Sequence, residues 1–253
     1  MEKKKAQTTI FIILALVIVV VLVLLYINRA SFTSVLSGKS PIENLKQCIR
    51  DSMQEGIEII SVQGGSISPE NYYLYENNKV DYLCYSDEYY KKCIMQKPLL
   101  KQSIEKELKE YSKTKIQGCL DSAKNSLEKE GYIVSAKDAN ISIEIIPNNI
   151  IVNVEADLET TKQKTESYKF IKTDINSDLY NLIMIAGSIS NFEARYGDSE
   201  TMTYMMYYPA LKVEKKKQAE GTTIYVLTNR ETLDKFIFAS KSVVFPPGVR
   251  VPQ

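Results

Sequence analysis

The sequence contains no histidine and no tryptophan, and it has ten glycines and four cysteines in 253 residues. Without histidine, Ser-His-Asp and Cys-His catalytic arrangements and histidine-bearing zinc sites are excluded. Neither G-x-x-x-x-G-K-[ST] nor G-x-G-x-x-G occurs, which removes the two common phosphate-binding loops. We therefore predict no catalytic residue, no metal site and no cofactor.

The charges of the chain are nearly balanced, with 32 basic residues against 31 acidic ones. Residues 1–29 hold four of the basic residues and one of the acidic residues, so the remainder has 28 basic against 30 acidic side chains, a net charge near −2. Such a balance is unlike the basic surface of a nucleic-acid-binding domain. It also lacks the long acidic tract of a disordered tail. We expect no nucleic-acid partner.

A long run without charge lies near the N-terminus, from Thr8 to Ile27. About 20 helical residues, at roughly 1.5 Å each, span a hydrocarbon core of about 30 Å. A cleaved secretory signal has an apolar region of about 7–15 residues and an A-x-A-like site, and the following "NRASFTSVLSGK" lacks that site. We predict a single transmembrane helix at 8–27 in the lipid bilayer. Lysines in the basic segment 1–7 favour a cytoplasmic N-terminus and an extracytoplasmic main domain.

The start of the apolar run has a more specific feature, the sequence "KKAQT". It resembles the class III signal of archaeal prepilin-like proteins, which implies processing at Lys5, Ala6 and Gln7, with cleavage after Ala6. The segments "SVQGG", "YLCYSDEYYKKC" and "NFEARYGDSE" resemble an uncharacterised family of surface proteins from small-genome archaea. That second resemblance covers most of the chain beyond the apolar run and implies a place at the cell surface, without an activity.

The four cysteines are informative about the compartment. Cys48 and Cys119 lie on the apolar stripes of two amphipathic helices, and Cys84 and Cys93 bracket the short loop "YSDEYYKK". Nested pairing, Cys48 with Cys119 around Cys84 with Cys93, is the simplest of three connectivities. Four buried free thiols are the alternative for a cytosolic protein, whereas export of the domain favours disulfides.

The remaining pattern predicts an α+β fold, with amphipathic helices packed on antiparallel strands. A linker at 28–41 precedes a helical, cysteine-containing region at 42–135 and an α+β region at 136–245, and residues 246–253 form a C-terminal tail. Composition supports a folded domain, since 25% of residues are charged and 44% hydrophobic.

Local signals define several elements of this fold. Pro147-Asn148-Asn149 is an acceptable turn between two strands, and "SYKFIKTDI" predicts a third strand beside them. Ser177 or Asp178 caps a helix that ends at Gly197, and residues 210–244 read as a three-stranded meander with Gly221 in one turn.

Three groups of side chains could be taken for catalytic residues. Ser199 in "YGDSE" has no histidine base, and we interpret the segment as a turn that ends a helix. The S-x-x-K matches at Ser103 and Ser112 have no companion motif, and we place both on an exposed helix face. The carboxylates Glu193, Asp198 and Glu200 are interpreted as solvated surface rather than a calcium or glycosidase site.

Tyrosine is abundant, with 17 residues, and is concentrated at residues 71–90 and 202–209. We favour an aromatic layer that packs helices onto the sheet over a recognition surface for protein or glycan partners. Asn140 begins an N-glycosylation sequon, which has meaning only if the domain is exported.

These observations favour a single-pass, membrane-anchored protein with a structural, adhesive or interaction role at the cell surface, rather than an enzyme. The alternative is a pilin-like subunit of a type IV pilus-related filament, which would self-associate. Against it, Pro41 and the Gly-Ser linker interrupt the continuous helical spine expected of such a subunit. An enzyme acting on envelope polymers is a third class, and no motif supports it.

The N-terminal signal makes a direct prediction about the mature protein. If "KKAQT" is read as a class III signal, mass spectrometry of the chain from native membranes finds a mature N-terminus at Gln7. An intact start at Met1 or Glu2 would remove the main argument for the pilin-like alternative.

Overall fold

The computed structural model of the chain describes residues 41–244. The predicted membrane helix at 8–27, the basic segment 1–7 with its processing site at Lys5, Ala6 and Gln7, and the tail at 246–253 lie outside the described residues. Within residues 41–244, no helix is both long enough and apolar enough to cross a membrane.

Residues 41–244 form four helices and ten strands. The helices are α1 (Pro41–Val62), α2 (Leu100–Lys129), α3 (Leu179–Tyr196) and α4 (Met202–Tyr207). The strands are β1 (Tyr72–Tyr75), β2 (Asn78–Tyr85), β3 (Ile94–Met95), β4 (Ile133–Ser135), β5 (Asn140–Ile146), β6 (Asn149–Thr161), β7 (Thr165–Asn176), β8 (Leu211–Lys217), β9 (Thr222–Asn229) and β10 (Lys235–Lys241). The α+β class is confirmed.

Six strands form the larger of two sheets, in the order β1-β2-β10-β9-β8, with β3 also paired to β2. β2 and β10 run parallel, and the other pairs in this sheet are antiparallel. The sequence predicted antiparallel strands alone, so this parallel pair is a correction. It also joins a strand from the 42–135 region to one from the 136–245 region.

The central strands β2, β9 and β10 are buried on both faces. On one face, Ile224, Val226 and Ile237 form an apolar cluster with Val80 and Tyr82. The opposite face presents Tyr225, Phe236 and Phe238, and the rings of Tyr225 and Phe238 stack with centroids 5.0 Å apart. α3 packs against β2, β9 and β10. Burial on both faces explains the long apolar runs in these strands, where period-two alternation is absent.

The smaller sheet is built around β6, which pairs with β7 along one edge and with β4 and β5 along the other. Alternate residues of β6 from Ile150 to Thr160 are buried, as a strand with one covered face requires. β5 and β6 are joined at Pro147-Asn148, and Asn148 takes the left-handed backbone conformation (φ 64°) that suits asparagine in a tight turn. The predicted hairpin and its third strand are confirmed.

α2 covers β4 and β5, and α1 lies against α2. The approach of α1 to α2 is close at Gly56, where an added Cβ would lie 2.9 Å from the Tyr111 ring. The Cys48–Cys119 disulfide joins the same two helices, with Cα atoms 5.9 Å apart. A side chain at position 56 would therefore require α1 or the Tyr111 ring to shift at this contact.

The second disulfide links Cys84 in β2 to Cys93, with Cα atoms 5.3 Å apart. It closes the loop between β2 and β3, whose Tyr90 N–H donates to the Val244 carbonyl at 2.8 Å. Both cysteines are buried. The two pairs are those of the nested arrangement predicted from the sequence.

The two disulfides should differ in what they contribute to stability. On the chain-entropy model, closing a 71-residue separation stabilises by about 4 kcal/mol, and closing a 9-residue separation by about 3 kcal/mol. We expect C48A/C119A to lower the thermal midpoint more than C84A/C93A does, as followed by near-ultraviolet circular dichroism of the tyrosines. The opposite order would show that the short β2–β3 loop, and not the α1–α2 contact, limits unfolding.

Candidate functional site

α3 and the short helix α4 position a group of exposed aromatic side chains. At the start of α3, the Ser177 Oγ accepts the Leu179 N–H at 3.2 Å, while the Asp178 side chain makes no capping bond. α3 ends at Gly197, which is left-handed (φ 86°) as the sequence predicted. The chain then turns through residues 198–201 into α4.

Inward-facing side chains hold α4 in place. The hydroxyls of Tyr204 and Ser188 are hydrogen-bonded at 2.8 Å, which ties α4 to the middle of α3. The next residue, Met205, accepts a hydrogen bond through its Sδ from the Val213 N–H of β8 at 3.4 Å. Because these two residues face the fold, their neighbours in the six-residue helix must face outward.

The outward side chains form what we call the aromatic surface, with Phe192 and Tyr196 from α3 and Met202, Met206, Tyr207 and Tyr208 from α4 and its end. Each of them is about half exposed or more, and Tyr207 reaches 78%. The Phe192 and Tyr196 rings are in contact, with centroids 5.5 Å apart. This corrects the favoured interpretation of residues 202–209 as an internal aromatic layer.

A cleft of about 430 Å³ opens within this surface, between α3 and α4. It is lined by Ser188, Phe192, Glu200, Thr203, Tyr204, Tyr207 and Tyr208. Its size falls in the range of small-molecule pockets. The Glu200 Oε1 accepts the Met202 N–H at 2.8 Å, which fixes the carboxylate beside the aromatic rings. We call this the Glu200 cleft.

A second cleft of about 340 Å³ lies on the other side of Tyr207 and Tyr208, which line both. Its one charged lining residue is Asp178, whose two carboxylate oxygens accept hydrogen bonds from Asn181 Nδ2 at 2.5 Å and Asn229 Nδ2 at 2.7 Å. The polar groups of this second cleft are thus largely used in holding the start of α3 to β9.

Beneath the aromatic surface, the Glu193 carboxyl of α3 is buried, with 2% of the residue exposed. The Tyr225 hydroxyl donates a short hydrogen bond to Glu193 Oε1, which also accepts the Ser199 N–H at 3.2 Å. The Ser240 Oγ donates to Glu193 Oε2 at 3.4 Å. One carboxyl therefore connects α3 to β9, to β10 and to the turn that leads into α4.

Burial changes the pKa values of Glu193 and Tyr225. It raises the pKa of Glu193 above the ordinary value of 4.5, and the Tyr225 hydrogen bond and the charge of Lys215 oppose that rise. Burial and the neighbouring carboxyl likewise raise the pKa of the Tyr225 hydroxyl. Neither cleft described above is lined by Glu193, so this carboxyl acts as a structural connection.

The carboxylates that the sequence grouped together are separated by the fold. Glu193 is buried, Asp198 forms an ion pair with Lys215, and Glu200 lines its cleft. The interpretation of all three as solvated surface is wrong for Glu193. Among residues 41–244, no group of three or more cysteine, aspartate or glutamate side chains could hold a metal ion.

Two of the serines considered as catalytic candidates, Ser112 and Ser199, are buried. Ser112 is fully buried, so its assignment to an exposed helix face is wrong, and its hydroxyl donates to the Lys109 carbonyl at 3.3 Å. Ser199 is buried in the turn after α3, and within residues 41–244 its Oγ has no hydrogen-bond partner. Lys215 donates to the Ser199 carbonyl at 2.9 Å, a contact to the backbone that does not activate the hydroxyl.

Comparison with protein-family models, curated proteins and solved structures finds no match to this chain. The properties of the site therefore rest on its own geometry. Asn140 is exposed at the first position of β5, and its glycosylation stays a prediction.

The buried carboxyl generates a prediction about stability. Glu193→Ala would leave the Tyr225 hydroxyl without its acceptor, at a cost of about 1–3 kcal/mol. Glu193→Gln keeps an oxygen that can accept from Tyr225 and should cost less. Chemical unfolding of the two variants and the wild type at pH 7 measures the difference.

The raised pKa also fixes the sign of a pH effect. The folded state holds the Glu193 proton more tightly than the unfolded state, so this contribution is present below pH 4.5 and is lost as pH rises through the folded pKa. The stability of Glu193→Gln relative to wild type should therefore increase as pH rises from about 4.5 through the folded pKa of Glu193. A relative loss over that range would mean that the folded state favours the charged carboxylate.

Proposed function

We propose that this chain is a single-pass membrane protein that presents residues 41–244 outside the membrane as a binding module. Residues 8–27 would cross the bilayer with the N-terminus in the cytoplasm. The role is one of adhesion or interaction at the cell surface and involves no catalysis. The observation that carries the proposal is the aromatic surface.

The chemistry of the aromatic surface suits recognition. Tyrosine, phenylalanine and methionine are enriched where proteins bind partners, and a group of exposed apolar side chains marks such places. Tyrosine also loses little conformational entropy on binding, because it has two side-chain torsions. Since Tyr204 and Met205 fix α4 to α3 and β8, the helix that carries the exposed side chains is in place before a partner arrives.

The disulfides support the extracytoplasmic location. All four cysteines of the chain are paired in the fold, and disulfides persist in oxidising compartments rather than in the cytosol. A covalently closed domain on a membrane anchor is suited to contacts outside the cell.

Changing the exposed rings tests this proposal. The full chain is reconstituted in fluorescent nanodiscs, and its adherence to intact cells of the native host is measured by flow cytometry. Y207S/Y208S should lower adherence several-fold, because it removes the two rings shared by both clefts. In the same host, an antibody to residues 41–244 should stain cells without permeabilisation.

The matched control is Ile133→Ser, which removes a side chain of similar exposure (77%) outside the aromatic surface. We expect it to leave adherence unchanged. Equal adherence of Y207S/Y208S and wild type, or staining that requires permeabilisation, would contradict the proposal.

A further inference from the structure

We propose that the Glu200 cleft binds an organic cation, namely an alkylammonium group. The inference rests on the proposed function, since it specifies the ligand chemistry that the aromatic surface recognises. It is carried by three features of the cleft: its aromatic lining, its single carboxylate and the hydrogen bonding of its hydroxyls.

The aromatic lining is the first of these features. Four of the seven lining residues are Phe192, Tyr204, Tyr207 and Tyr208. The face of an aromatic ring is electronegative and attracts cations, and several rings around one space form a site for ammonium groups. A neutral apolar ligand would gain from the same rings through burial alone.

The charge of the side chains that line the cleft indicates the charge of its ligand. Glu200 is the one charged side chain that lines the cleft, and its Oε1 is fixed by the Met202 N–H. The nearby cation Lys215 is paired with Asp198, and Lys92 donates to the Arg195 carbonyl at 2.7 Å. An entering cation thus meets a carboxylate that no lining cation neutralises.

Two of the hydroxyl groups in the cleft are already paired with each other. A carbohydrate needs several donors and acceptors to replace its bonds to water, because unpaired polar groups are costly in a binding site. Here Ser188 and Tyr204 bond to each other, whereas Thr203, Tyr207 and Tyr208 also line the cleft, so a neutral disaccharide is the competing ligand in the titrations. An alkylammonium group is recognised by aromatic rings and a carboxylate, and both line the cleft.

The second cleft gives an internal comparison. It shares Tyr207 and Tyr208 and also has a single carboxylate, but both oxygens of Asp178 are already bonded to asparagine amides. It lacks Phe192 and Tyr204 in its lining. The Glu200 cleft is therefore the site for the cation.

The test compares a cation with its uncharged isostere. The full chain, labelled with ¹³C at its methionine methyl groups, is titrated in nanodiscs with choline and, separately, with 3,3-dimethyl-1-butanol. The methyl signals of Met202 and Met206, which immediately precede the lining residues Thr203 and Tyr207 in α4, should shift with choline and much less with the neutral alcohol. A third titration with Nα-acetyl-lysine methylamide distinguishes a primary ammonium from a quaternary one.

Glu200→Gln removes the charge with little change in shape, and we expect it to weaken choline binding about two- to fivefold, as for an exposed charge pair. The control is Glu220→Gln, which removes the same charge from an exposed position that does not line the cleft, and it should bind choline as the wild type does. Tyr207→Ala should weaken binding as well.

Equal shifts with choline and the neutral alcohol, unchanged binding by Glu200→Gln, or stronger shifts with a neutral disaccharide would each overturn the inference. If neither ammonium probe binds while Y207S/Y208S still lowers adherence to cells, this inference fails and the proposed function stands. If adherence does not depend on the rings, the proposed function fails by its own measurement.

Discussion

The parallel pairing of β2 with β10 is the contact on which the rest of the fold depends. It joins strands that are more than 150 residues apart, with Ala239 opposite Tyr82 and Ser240 opposite Cys84. β2 then lies inside the larger sheet, where Val80 and Tyr82 join the apolar cluster formed with β9 and β10, and α3 packs against the strand. The β2–β3 disulfide starts from this same strand, so the closed loop is attached to the centre of the sheet.

The Glu193 carboxyl connects the larger sheet to the turn between α3 and α4. It receives hydrogen bonds from β9, from β10 and from the turn after Gly197. A buried carboxyl is unfavourable without partners, and here three donors offset that cost. The turn they fix contains Asp198 and Ser199 and leads directly to Glu200, so the position of the Glu200 cleft follows from a buried contact several residues away.

The aromatic surface combines exposed side chains with a rigid support. α4 has six residues, too few to be stable as a helix by itself, and it is held by one tyrosine hydroxyl and one methionine sulfur. Of the exposed rings, Phe192, Tyr207 and Tyr208 line the Glu200 cleft. Under the proposed function, the exposed rings are the groups that would contact a partner, and under the cation proposal the carboxylate of Glu200 would give that contact its preference for positive charge.

Regular patterns in the sequence determined much of this protein: the amphipathic helices, the β5–β6 hairpin and the end of α3 at Gly197. They favoured the nested cysteine pairs over two other connectivities. These elements depend on residues near each other in the chain or on strong periodicity, which local propensity and burial enforce. The tertiary structure alone decided the parallel β2–β10 pair, the burial of Glu193 and Ser112, and the outward direction of the residues around α4. Glu193 looks solvated in sequence because its partners, Tyr225 and Ser240, lie 32 and 47 residues away, and desolvation of a carboxyl depends on which distant strands fold over it.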